Sequence, residues 1–208
     1  MKEKEELRLQ LLKEYENKLH EKGIEYIAGI DEAGRGPLAG PVVVAVCIMP
    51  KDSFIEGVND SKKVSETKRE KLYEEITNSA ISWGVGIVSE KRIDEINILN
   101  ATKEALTIAI SSLKIKPNII LVDALTGINT LGIPYEAVIK GDAKIYSISA
   151  ASIIAKVTRD RMMEKWDKEY PVYGFAKHKG YGTKTHIDAI KSNGLCPIHR
   201  KSFTKNFI

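Results

Sequence analysis

The sequence predicts an α/β or mixed-sheet fold, and three observations carry that prediction. Short apolar, β-branched or alternating runs fall at 24–30, 41–49, 81–88 and 118–122. Patterns of helical period are interleaved with them from residue 66 onward. No linker, internal repeat or low-complexity tract divides the 208 residues. One domain over 24–208 is therefore expected, with a helical extension over 1–23.

Residues 1–22 place Leu7, Leu11, Leu12, Tyr15 and Leu19 at helical spacing, so an amphipathic helix packed onto the domain is expected. The run IEYIAGI at 24–30 reads as a strand with Asp31 at its end. Residues 34–41 hold three glycines and two prolines, which marks a loop. The run 41–49 is almost unbroken in apolar residues, the pattern of a strand buried on both faces. Ser65 is placed to cap a helix over 66–79 that turns Leu72, Tyr73 and Ile76 inward. Within 81–88, Ile81, Trp83, Val85 and Ile87 alternate on one strand face. Residues 90–114 read as a helix in two pieces, the second over 101–113. A short strand at 118–122 delivers Asp123, and 136–139 supplies another. Gly141 and Asp142 then precede a long helix over 147–169, which Pro171 stops. The remainder is glycine-rich and basic, with one helix at 184–192 ended by Asn193 and Gly194.

At 43% hydrophobic and 29% charged residues, the chain can bury a core and is not a disordered one. No run approaches the roughly 18 apolar residues of a membrane helix. The N-terminus also lacks the basic start and apolar block of a secretory signal. Cys47 and Cys196 form neither a disulfide framework nor a zinc-type cluster, so reduced thiols in a cytoplasmic protein are expected. The net charge of +4 conceals an asymmetry. Residues 1–138 carry 18 Lys/Arg against 22 Asp/Glu, whereas 139–208 carry 14 against 6. A basic C-terminal third fits a polyanionic partner, most often nucleic acid.

Three acidic positions stand out. Asp31 and Glu32 follow an apolar run and precede a glycine loop, Asp123 ends another apolar run, and Asp142 follows a glycine before a long helix. Strand ends converge on one edge of an α/β sheet, where sites form. Carboxylates gathered there repel one another unless divalent cations neutralise them, and oxygen-only donors favour Mg2+ or Mn2+ over zinc. Taken singly, each acid could equally be a turn former or helix cap. Asp94, Glu95, Asp160 and Glu164 sit on expected helices beside Lys/Arg and read as solvated faces. Gly34, Arg35 and Gly36 put a guanidinium where backbone N–H groups can approach a phosphate. The segment YGFAKHKGYGT at 173–183 mixes aromatics, cations and glycines on a loop, offering phosphate contacts and a stacking face together. Tyr181 is flanked by glycines and poorly suited to core filling, whereas Phe175 is expected to be buried. A non-catalytic nucleic-acid-binding module would explain the basic third but leave the strand-end acids opposing a polyanion.

The blocks YIAGIDEAGRGPLAGPVVVAV, NDSKKVS, LVDAL, KGDAKIYSISAASIIAKVTRDR and YPVYGFAKHKGYGT resemble bacterial ribonuclease HII over about residues 24–200. The resemblance implies a ribonuclease H-like fold with a mixed central β-sheet flanked by helices and a helical C-terminal portion. It also implies an endonuclease acting on RNA–DNA hybrids and on single ribonucleotides within duplex DNA. Two Mg2+ or Mn2+ ions would serve a reaction leaving a 3′-OH and a 5′-phosphate. On this chain the metal-binding carboxylates would be Asp31, Glu32, Asp123 and Asp142. Gly34, Arg35 and Gly36 would read the ribose 2′-OH and adjoining phosphates, and Tyr181 would stack on the following deoxyribose. Lys62, Thr102, Ser149 and Lys156 fall in matching blocks as phosphate or scaffold contacts. Lys177, Lys179 and Lys184 supply cations for phosphates. A monomer is the expectation, and the role of residues 1–23 stays open.

Overall fold

The computed structural model describes residues 2–207. Helix α1 spans Lys2–Glu21, and strands β1 (Ile27–Ala33) and β2 (Val42–Ile48) follow. Next come α2 (Glu66–Ser79), β3 (Ser82–Val88), α3 (Glu90–Ser111), β4 (Ile119–Asp123) and β5 (Tyr135–Val138). The chain closes with α4 (Tyr146–Glu169), α5 (Phe175–His178), α6 (Lys184–Asn193) and α7 (Lys201–Thr204). The strands form one mixed sheet in the order β3-β2-β1-β4-β5. β2 pairs antiparallel with β1 and β3, while β4 runs parallel to β1 and β5. Among the described residues, no helix is long and apolar enough to cross a membrane.

Every residue of β2 is buried because the strand has a helix layer on each side. Val43, Ala45 and Cys47 face a core shared with α1, α2 and α4, while Val42, Val44, Val46 and Ile48 face α3. This is the side-chain alternation of a strand covered twice. Cys47 and Cys196 are both free thiols.

Several local expectations needed correction. Ile81 and Ile87 of the alternating 81–88 run are partly exposed, at 37% and 43%. The opposite face of β3, carrying Ser82, Gly84, Gly86 and Val88, is the one fully buried. Its glycines let the α3 backbone press in, since a Cβ on Gly86 would lie 1.8 Å from the Ala105 carbonyl oxygen. Helix α1 turns Leu9, Leu12 and Leu19 inward and leaves Leu7 and Leu11 at 58% and 60% exposure. The sequence pattern missed the buried stripe because Lys13 and Glu16 lie on it as well. Ser65 occupies the N-cap of α2 but makes no side-chain cap. Helix α3 does break in two, at Asn97 (φ 66°, ψ 164°), whose side chain accepts from the Asn100 N–H to start the second piece.

Two of the acids read as solvated faces have fixed partners, and one of them is buried. Asp160 is 4% exposed and pairs with Lys156 at 2.7 Å and Arg69 at 3.8 Å. Asp94 accepts the N–H groups of Lys201 and Ser202 at 2.8 and 3.0 Å, holding the start of α7.

Candidate active site

Strand β1 carries the acidic pair inside the sheet rather than beyond its end. Asp31 lies opposite Ala45 and Glu32 opposite Val44 on β2. Alternation puts Asp31 on the same face as Gly29, beneath α4. The start of α4 crosses Gly29 so closely that a Cβ there would lie 2.2 Å from the Ser147 carbonyl carbon. That contact brings the α4 end of the chain, and Asp142 just before it, against β1. Asp31 is 5% exposed, with Ser152 of α4 beside it working against the effect of burial.

Asp123 closes β4, and its Oδ1 accepts the Gly141 N–H at 2.8 Å. Asp142 is buried in a short turn over Gly141–Ala143. The Ser149 hydroxyl donates into that turn, reaching the Asp142 carbonyl oxygen at 2.8 Å. The four sequence-predicted acids are thus delivered to one end of the sheet and feel one another's charge. Burial, then the Glu32 charge, pushes the Asp31 carboxyl well above its ordinary range, with Asp123 adding to the effect. Burial also raises Glu32, against the pull of Arg35, with Asp123 again acting upward. Asp123 is raised by burial and by Asp142, against the Gly141 hydrogen bond.

Lys62 supplies positive charge at this end of the sheet. Its Nζ lies 3.1 Å from Asp142 Oδ2 and 3.8 Å from Asp60 Oδ1. Burial pulls its ammonium down, but Asp142, Asp60 and Asp31 outweigh this and hold it above its usual range. Asp60 is a fifth carboxylate that the sequence reading passed over. It is 8% exposed, and its charge reaches Asp123. Its only sequence signal was its place beside Lys62 in NDSKKVS. Among the described residues, no three His, Cys, Asp or Glu groups are gathered tightly enough to hold a metal ion as they stand. The donor chemistry nevertheless fits a hard divalent cation: the groups are all oxygen, mutually repelling, and already attract a cationic side chain. Enclosing an ion requires these side chains to turn inward and Lys62 to yield.

Beside the acids lies the loop containing Gly34, Arg35 and Gly36. The Arg35 side chain is about half exposed and lies 3.4 Å from Glu32. Gly36 faces Tyr181, and a Cβ on it would stand 3.8 Å from the Tyr181 ring. Tyr181 itself is 45% exposed, while Phe175 is fully buried. Residues 173–183 are not all loop, because α5 occupies part of them.

Two arginines that the sequence reading missed hold this loop in place. Arg159 donates to the carbonyls of Pro41, Ala39 and Lys179 at 3.0, 2.9 and 2.8 Å. Arg200 donates to Gly34, Arg35, Gly40 and Pro41 at 2.6, 3.0, 2.8 and 3.1 Å. Burial lowers Arg159 to about 10. Burial and the Arg159 charge lower Arg200 to about 9, so both stay cationic at neutral pH. Backbone bonds from Leu38 to Gly180, Gly40 to Ile198 and Arg200 to Leu38 complete the clasp.

The remaining predicted contacts divide. Lys177 and Lys184 are exposed. Lys179 is 9% exposed and paired with Glu164 at 2.6 Å and Glu66 at 3.1 Å. Lys156 is engaged with Asp160. Thr102 is buried, and its hydroxyl donates to Ile98 of its own helix at 2.8 Å. Thr102 and Ser149 therefore stand as scaffold in this structure.

The family model described as Ribonuclease HII matches residues 28–206. Ribonuclease HII of Acetivibrio thermocellus is 61% identical over 194 residues, covering 93% of this chain and 75% of its own length. Ribonuclease HII of Clostridioides difficile is 56% identical, covering 99% of this chain and 80% of its own. The crystal structure of ribonuclease H2 from Pyrococcus horikoshii superposes with a TM-score of 0.72 at 34% identity, covering 88% of this chain and 96% of that one. The mixed sheet and its flanking helices are those of the ribonuclease H-like fold. The chain belongs to the ribonuclease HII family and is a phosphodiester hydrolase, an endonuclease of ribonuclease H type.

Proposed function

We propose that the enzyme cuts the RNA strand of RNA–DNA hybrids and the 5′ side of single ribonucleotides in duplex DNA. The observation that carries this reading is the adjacency of acids and loop. Strand β1 runs from Asp31 and Glu32 straight into the turn holding Gly34, Arg35 and Gly36, which faces Tyr181.

Asp31, Glu32, Asp123 and Asp142 would hold two Mg2+ or Mn2+ ions. Such ions, when bound, acidify a water nucleophile and stabilise charge on the leaving 3′-oxygen. The protein's own groups do the rest. The Gly141 N–H orients the Asp123 carboxylate, and Ser149 fixes the turn carrying Asp142. Lys62, exposed along its side chain, can exchange its carboxylate partners for a substrate phosphate. The backbone of residues 34–36 grips the 2′-OH, the hydroxyl that separates ribose from deoxyribose. The Tyr181 ring packs on the next sugar, where a second hydroxyl would lie in its way. Lys177 and Lys184 contact flanking phosphates. The protein works as a monomer in the cytoplasm on this reading.

One assay panel tests it: all-DNA, all-RNA, hybrid, and DNA with one ribonucleotide, each with Mg2+, Mn2+ or excess EDTA. Cleavage of the hybrid and the single-ribonucleotide duplex is expected, with no cutting of all-DNA and none in EDTA. Equal cutting of all-DNA, or activity that survives chelation, overturns the reading.

A further inference from the structure

Three of the four histidines, His178, His186 and His199, pack together around Phe175 and Tyr173, far from any role assigned above. The rings of His178 and His186 stack with centroids 4.4 Å apart. All three side chains are buried, His186 completely.

Their partners fix the proton on each ring. A backbone carbonyl only accepts, and a backbone N–H only donates. His178 Nε2 lies 2.7 Å from the Tyr173 carbonyl oxygen and so carries hydrogen, while its Nδ1 accepts the Gly180 N–H at 3.2 Å. His186 Nδ1 lies 2.9 Å from the Tyr181 carbonyl oxygen and carries hydrogen, leaving its Nε2 as an acceptor. That acceptor lies 3.0 Å from His199 Nε2, which must therefore donate. His199 Nδ1 then accepts from the Cys196 N–H at 3.0 Å, with the thiol 3.1 Å away; the Cys196 carbonyl oxygen, farther at 3.3 Å, already takes the His199 backbone N–H at 3.0 Å. Each of the six ring nitrogens has a partner, and no ring needs a second proton. Burial keeps His186 neutral, with its pKa lowered to about 4, and lowers His199 as well.

Two of these bonds end on consecutive residues. His178 holds the Gly180 N–H and His186 holds the Tyr181 carbonyl, so the Gly180–Tyr181 dipeptide is held at both its ends. The Tyr181 side chain leaves this anchored backbone toward Gly36. We infer that His178 and His186 are positioning residues that set the Tyr181 ring over the ribonucleotide-reading loop, with His199 locking the His186 tautomer. The inference rests on the proposed contact of Tyr181 with the sugar that follows the ribonucleotide.

Side-chain amides separate the two halves of each ring. An asparagine amide reaches about where Nδ1 of histidine lies, and a glutamine amide about where Nε2 lies. His186→Asn keeps the donor to the Tyr181 carbonyl, whereas His186→Gln loses it. On a DNA duplex with one ribonucleotide, His186→Gln is expected to lower kcat about 10- to 100-fold with KM little changed, the loss typical of a misplaced contact. His186→Asn should remain within about threefold of the wild type, on the same reasoning about geometry. In a Tyr181→Ala background, His186→Gln should add almost nothing. Equal losses in both backgrounds, or equal activity of the Asn and Gln variants, overturn the inference. If Tyr181→Ala alone turns over normally, the sugar-contact reading fails first and takes this one with it. Should His186→Gln not fold by circular dichroism, His178→Gln removes the acceptor for the Gly180 N–H and is judged by the same comparison.

Discussion

Asp123 shows how one side chain would be prepared for the metal-binding role proposed for it. Its carboxylate is oriented by the Gly141 N–H, raised by burial, and reached by the charges of Asp142 and Asp60. Asp123→Asn keeps an oxygen for that N–H but removes the negative charge a cation would need. Cleavage should fall by at least about 100-fold, the scale of losing one electrostatic group at a reacting centre. Duplex binding, measured by fluorescence anisotropy, should survive. Near-normal turnover would remove Asp123 from the site. The four acids were legible in the sequence because each adjoins an apolar run or a glycine. Asp60 was not, since an acid in a polar turn looks the same whether it caps backbone or faces a metal site.

Among elements, α1 shows where pattern reading stops. Apolar spacing does not reveal a stripe containing Lys13 and Glu16, yet both are buried, at 8% and 6% exposure. Lys13 donates to the carbonyls of Lys51 and Ser53, and Glu16 accepts the Ser147 N–H at the start of α4. Burial raises Glu16 to about 7 from an ordinary 4.5. The folded state therefore holds a proton that the unfolded chain releases above about pH 4.5. The stabilisation is complete below that pH and is lost as pH rises through about 7, amounting to about 3 kcal/mol. Glu16→Gln keeps an acceptor for Ser147 without the charge, so its melting temperature should vary less between pH 5 and 8 than that of the wild type. An identical pH profile in thermal melts would count against the buried carboxylate. The strand β3 teaches a related lesson. Its apolar residues alternated correctly, but the buried face was the glycine one, because α3 approaches at backbone distance. Alternation gives the period of a strand and leaves its inward side to the partner.

For the whole molecule, the basic C-terminal third is less available than its net charge implies. Lys179 and Lys156 are tied to acids, and Arg159 and Arg200 are buried in backbone carbonyls. Arg35, Lys62, Lys177 and Lys184 remain as exposed cations among the predicted contacts. Four phosphate contacts predict a slope of about −3.6 for log K against log salt, or about a 150-fold loss of affinity between 50 and 200 mM. Lys184→Ala should shift that slope by about one. A slope near −6 in salt titrations would mean that the paired lysines also release their acids to bind. The sequence displayed this charge asymmetry plainly, but which cations were spent inside the protein depended on contacts between distant segments. Arg200 is the extreme case, and Arg200→Met should destabilise the fold by about 3 kcal/mol or more in denaturant unfolding, since it orphans several buried carbonyls.

That same side chain bears on biosynthesis. Its bonds to Gly34, Arg35 and Gly40 join positions 160 to 166 residues apart in the chain. Contacts of such separation form only after both partners have left the ribosome, and domains mature from the N-terminal side during synthesis. The sheet strands and their acids are all translated by residue 142, and Arg159 then takes up Pro41 and Ala39, but the carbonyls of Gly34, Arg35 and Gly40 wait for Arg200. On the proposed reading, a polypeptide stopped before residue 200 would carry the acids without the full set of bonds that holds the neighbouring loop.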